Sequence, residues 1–104
     1  MAKLKTIIDK SAEHFGISNE DIRDPSRIKS PENIQAAKLC AIFIAAKDGY
    51  DDGDIQKELN FKSRSSIASK FNKAQNIYSN YSSVEDDFVA DVTAIARQMG
   101  IALE

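Results

Sequence analysis

Lys62, Arg64, Lys70 and Lys73 fall between Leu59 and Val84, a stretch without a single aspartate or glutamate. Ser63, Ser65, Ser66, Ser69 and Asn72 are interleaved with them, and all 16 acidic residues lie elsewhere. Ammonium and guanidinium groups displace the counterions of a phosphate-lined groove. Hydroxyls and a helix N-terminus can hydrogen-bond phosphate oxygens or base edges. The same pattern also describes a solvated helix face with ordinary lysines, and residues 54–79 by themselves leave both readings open.

The remaining reactive residues point less far. Asp48, Asp51, Asp52 and Asp54 crowd one loop, but a calcium loop begun at Asp48 would put Tyr50 at position 3 and Leu59 at position 12. Position 12 requires a bidentate glutamate, so these acids are expected to cap a helix and no metal is expected. His14 is the only histidine and has no obvious carboxylate at helical spacing. Cys40 is the only cysteine and stands in the most apolar run, as a small buried hydrophobe would. Tyr78 and Tyr81 are expected to pack at the junction before the last helix. No phosphate-binding glycine loop or nucleophile elbow is present, so neither an enzyme nor a cofactor is expected.

The elements that would position these residues read as helices throughout. Leu4, Ile7, Ile8, Ala12 and Phe15 recur at helical spacing before Gly16, a helix-stop signal. Ser18 can cap a short helix that Pro25 closes. Ser30-Pro31 reads as N-cap and first helical residue of a helix running to about Asp48. Its centre, Leu39 to Ala46, is apolar nearly all round, as in a helix buried at the middle of a domain. A short helix capped by Asp51 or Asp52 follows, and Asn60 tolerates the left-handed turn after it. Ser63 can cap a long helix to about Tyr78. Ser82 with Glu85 forms a capping box for the last, in which Val84, Phe88, Val89, Val92, Ile95 and Ala96 make one stripe. The expectation is an all-α compact bundle of about five helices, with Leu39, Ala41, Ile42, Phe43 and Ala45 mostly buried.

Residues 54–79 have the outline of a helix-turn-helix. Ile55 and Leu59 lie one turn apart on the first helix, Phe61 plugs the turn, and Ile67 and Phe71 lie one turn apart on the second. The 104 residues suit one domain, set at 1–102, with 103–104 a possible expression-tag remnant. Apolar residues make up 42% and charged residues 29%, which excludes a disordered tail. The net charge of −2 means that any case for nucleic acid rests on where the charges stand. The longest apolar run is too short for a bilayer and no signal peptide is read, so a cytoplasmic protein with no membrane partner is expected.

Over nearly its whole length, Ile7 to Gly100, the chain resembles the C-terminal DNA-binding domain of the bacterial chromosomal replication initiator DnaA, which carries a Trp-repressor-like helix-turn-helix. AEHFGISNEDIRD is similar to the family's opening helix, hydrophobic-Gly turn and short helix; RIKSP falls at its basic loop; AKLCAIFIA resembles its long helix, with Lys38 at an arginine position. GDIQKELNFKSRSSI falls on the family's signature. There Lys62 stands at the signature arginine, Ser65 and Ser66 at two threonines that contact bases and phosphate, and Ile67 at a buried valine. Asn60-Phe61 replaces Gly-Gly, Ser63 an aspartate and Arg64 a histidine. The resemblance and the acid-free stretch together give double-stranded DNA as the expected partner, contacted by Arg27, Lys29, Lys38, Lys62, Ser63, Arg64, Ser65, Ser66, Ser69, Lys70 and Lys73. The initiator's ATPase module has no counterpart, so no nucleotide is expected. The alternative is a helical adaptor that binds a protein partner through the acidic clusters at Asp48–Asp54 and Glu85–Asp87. A contiguous positive face joining Arg27, Lys29 and Lys38 to Lys62, Arg64 and Lys70 would favour DNA.

Overall fold

Serine, aspartate, glycine and asparagine side chains and turns set most helix boundaries through short-range hydrogen bonds. The computed structural model describes residues 3–24, 32–81 and 87–103. Six helices occupy them: α1 (Leu4–His14), α2 (Asn19–Ile22), α3 (Glu32–Lys47), α4 (Asp52–Glu58), α5 (Arg64–Tyr81) and α6 (Asp87–Met99). No strand occurs among the described residues, so the fold is all-α, with six helices where about five are expected and with α2 at the place where Ser18 signals a short helix. Ser18 Oγ accepts the Asp21 amide at 3.0 Å, Asp51 Oδ1 accepts the Asp54 amide at 2.8 Å, and Ser63 Oγ accepts the Ser66 amide at 3.3 Å. The expected caps at Ser18 and Ser63 are thus formed, and Asp51 is the one chosen for α4. Those at Ser30-Pro31 and Ser82–Glu85, with Val84, lie outside the described residues.

The ends of α1 and α4 use the same device with different residues. After α1, Gly16 at φ +68° donates to the Glu13 carbonyl and Ile17 donates to that of Ala12. After α4, Asn60 at φ +59° donates to Lys57 and Phe61 to Gln56. Both are Schellman closures, whose left-handed residue is usually glycine and sometimes asparagine.

The apolar centre of the sequence is the centre of the fold. α3 packs against each of the other five helices. Cys40, Ala41, Ile42, Phe43, Ile44 and Ala45 are fully buried, whereas Leu39, expected among them, is only partly buried at the margin of the core. Phe43 stacks on Phe71 at 5.8 Å between centroids, and meets Tyr78 at 5.1 Å and Phe88 at 5.8 Å. These contacts tie α3 to α5 and α6. Val92, Ile95 and Ala96 bury the inner face of α6, with Phe88 partly buried beside them. Leu103 also joins the core at 8% exposure. Burial pushes the Cys40 thiol far up, and the charge of Asp91 adds to the shift, so this sulfur stays protonated.

Candidate nucleic-acid interface

The turn between α4 and α5 is held by residues far apart in sequence. Ile55, Leu59 and Ile67 are fully buried beneath it, and Phe61 and Phe71 pack against the same core. Gln56 Nε2 donates to the Phe61 carbonyl at 2.8 Å, and Asn60 Nδ2 to the Arg23 carbonyl at 2.9 Å. The Arg23 side chain completes the tie. Its Nη1 donates to the Asn19 carbonyl at 3.0 Å, and its Nη2 lies 3.0 Å from Asp9 Oδ1 and 3.5 Å from Glu58 Oε1. The Asp9 contact lies off the N–H direction and is an ion pair more than a hydrogen bond. Arg23 thus links α1, α2 and α4, a role that its place in the sequence did not signal, because its partners are non-local.

Lys38 from α3, Lys62 from the turn, and Ser66 and Lys70 from α5 converge on one cleft beside Phe61, with a volume of about 220 Å³ and no acidic residue in its lining. Lys38 Nζ donates to the Asp24 carbonyl at 3.0 Å and stands 5.6 Å from the centre of the Phe61 ring, within cation–π range. Partial burial holds the Lys38 ammonium below the usual lysine range; Asp24 works against this shift and Lys70 adds to it. The repulsion from Lys70 shows that these two charges share one field. Among the described residues, neither Lys62 nor Lys70 is ion-paired with a carboxylate, whereas Lys10 and Arg23 are.

The other expected residues are distributed unevenly. Arg64 is exposed and does not line the cleft. Its guanidinium lies over α4, with Nε, Cζ and Nη2 each 3.3 Å from where a β-carbon on Gly53 would stand. Ser63 caps α5, with Ser65 Oγ at 3.0 Å and Ser66 Oγ at 3.1 Å from its hydroxyl. Ser65, Ser69 and Lys73 are exposed on α5 outside the cleft lining. Arg27 and Lys29 lie outside the described residues. The positive face therefore joins Lys38 to Lys62 and Lys70, while Arg64 stands apart on the α4 side. Phe61, read from sequence as a plug for the turn, also forms one wall of the cleft.

Beside the same turn, Asp9, Glu20, Asp21 and Asp24 line a broader hollow with Lys5, Arg23 and Asn60. Elsewhere, His14 Nε2 meets Asp91 Oδ1 at 2.9 Å and joins α1 to α6. No helix among the described residues is long and apolar enough to cross a membrane. Compared with protein families and with curated proteins, the chain matches no family model and no curated sequence.

Proposed function

We propose that this chain binds double-stranded DNA, with α4 and α5 acting as a helix-turn-helix and the start of α5 entering the major groove. The observation that carries the reading is the convergence of Lys38, Lys62, Lys70 and Ser66, from three separate parts of the chain, on one acid-free cleft. Three ammonium groups held together repel one another, and an arrangement of this kind suits an anionic partner that relieves the repulsion. In the bound state the three lysines contact phosphates and set register, and Arg64, released from Gly53, reads guanine through its bidentate fork. The likeness to the initiator's DNA-binding domain supports a replication-initiator-like or regulatory role in the cytoplasm.

The test is fluorescence anisotropy on random and DnaA-box duplexes over a salt series. The expected result is binding whose log affinity falls linearly with log salt, by roughly 0.9 for each phosphate contact. Absence of duplex binding at low salt sinks the proposal. The reading that then takes its place is a helical adaptor that binds a protein partner through acidic clusters, with Asp48–Asp54 at the start of α4 among them.

A further inference from the structure

Lys38 differs from the other two lysines of its cleft. It is half-buried, whereas Lys62 and Lys70 are exposed. One of its N–H groups is fixed on the Asp24 carbonyl at 3.0 Å, and its Nζ stands 5.6 Å from the centre of the Phe61 ring. These contacts hold the nitrogen at one place in the cleft wall. Burial first, and then the charge of Lys70, make its proton easier to lose, against the opposing pull of Asp24. A lysine that gives up its proton exposes a lone pair, and burial beside another cation is a recurring way to make the amine a nucleophile. The bond to Asp24 survives that loss, because a neutral amine still carries two N–H donors.

The rest of the lining suits an electrophile of one kind. Lys62 and Lys70 bring two ammonium groups, Ser66 a hydroxyl and Phe61 an apolar wall, and no carboxylate is present. A fixed amine beside two cations matches a reagent whose carbonyl carbon is joined to an anionic leaving group. The volume of about 220 Å³ lies below the roughly 300–1,000 Å³ of pockets that enclose drug-sized ligands, which favours a small reagent.

We infer that Lys38 is a modification site, acylated by a small acyl phosphate held in the cleft with its phosphate toward Lys62 and Lys70. In the reaction the neutral Lys38 Nζ attacks the acyl carbon. A C–N bond forms, and the C–O bond to the phosphate breaks. Inorganic phosphate leaves with the electron pair of that bond, and the nitrogen passes its surplus proton to water. Nothing is oxidised or reduced. Lys62 and Lys70 meet the charge that grows on the leaving phosphate, and the Ser66 hydroxyl is available to the acyl oxygen. The product is an uncharged amide that keeps one N–H for the Asp24 carbonyl and removes one of the three cations. On the DNA-binding reading, on which this consequence alone rests, acylation weakens the proposed interface by one phosphate contact.

The test uses acetyl phosphate on the whole chain, with acetylation of each lysine followed by peptide mass spectrometry. Lys38 should react about tenfold faster than the exposed Lys57 and Lys73, the low end of the gain that a charged cleft gives an oppositely charged reagent. With acetic anhydride, which carries no phosphate, most of that lead should vanish. Lys70→Gln and excess inorganic phosphate should each slow Lys38 and spare Lys73. A Lys38 no faster than Lys73 overturns the modification site, and an equal lead with both reagents overturns its selection of acyl phosphates. Protein carrying acetyl-lysine at position 38 should then bind duplex DNA with a salt slope lower by roughly 0.9. An unchanged slope overturns the effect on the interface and leaves the modification standing. A wild type that binds no duplex overturns the DNA reading, while the acetylation rates judge the site separately.

Discussion

Asn60 and Phe61 are consecutive, yet they line two different hollows. Asn60 faces the broad one along α1 and α2, and Phe61 the narrow one between α3 and α5. The hollows differ in how their charges are met. In the first, Arg23 contacts the carboxylates of Asp9 and Glu58, and the Asn60 side chain locks the turn onto the Arg23 carbonyl. In the second, three lysines share a lining without an acid. Charge matched within the chain stabilises the fold. Like charge gathered without a match costs stability and is useful only toward an outside partner. One turn therefore divides a structural network from the proposed binding surface.

The largest expected effect breaks the structural side. Arg23 is 18% exposed and serves three elements, so Arg23→Ala should cost about 3 kcal/mol of unfolding free energy by leaving carboxylates and a carbonyl unpartnered. Urea denaturation measures this. Duplex affinity per folded molecule should change little. A large affinity loss with unchanged stability would place Arg23 on the binding side instead.

Lys62→Ala and Lys70→Ala should do the reverse. Both residues are exposed, and each substitution should move stability by less than about 0.5 kcal/mol. Each should weaken every duplex alike and lower the salt slope by roughly 0.9. Unchanged affinity in both variants would remove the functional half of the comparison.

Lys38 stands between the two, since it bonds to Asp24 and repels Lys70. Its ammonium is held below the ordinary 10.5, mainly by burial. A lysine with a lowered folded pKa binds its proton less tightly in the folded than in the unfolded chain. Charged Lys38 therefore costs stability at neutral pH. That cost is relieved as pH rises from the lowered value to 10.5. Lys38→Met keeps the apolar stem on Phe61 and removes the charge. It should weaken duplex binding, leave stability at neutral pH equal or slightly higher, and flatten the alkaline rise. A marked drop in stability would show that the Asp24 bond outweighs the burial of the charge.

The division between these regions also explains what could be read from residue order. Caps at Ser18 and Ser63, the left-handed Asn60, and the buried centre of α3 depend on neighbours within one or two helical turns, so local patterns reveal them. The acid-free stretch revealed which helix carries the basic surface. Lys62, Ser66 and Lys70 lie within it, but their meeting with Lys38 depends on how α3 crosses α5. The Arg23 ties and the His14–Asp91 contact, across a separation of 77 residues, are tertiary pairings with no local signature. Leu39 was expected in the core because its neighbours are apolar, yet a helix surrounded on most sides still leaves one strip near the surface.

The smallest expected effect concerns Arg64, whose side is undecided by charge alone. Its guanidinium covers Gly53, in the first turn of α4. A methyl group there meets three guanidinium atoms at 3.3 Å, tighter than ordinary contact. The obstacle is the exposed end of a flexible side chain, so it can yield by a few tenths of an ångström or swing outward. Exchanging glycine for alanine in a helix gains up to about 1 kcal/mol, less near an end. Gly53→Ala should therefore raise stability by about 0.5 kcal/mol, a melting shift of roughly 2–4 °C. The displaced guanidinium should sharpen any guanine preference by no more than about threefold, since only the release from Gly53 is removed from the binding cost. A lower melting temperature with unchanged DNA selection would instead show that Arg64 stabilises α4, which moves it to the structural side and leaves the lysines and serines as the whole of the binding surface.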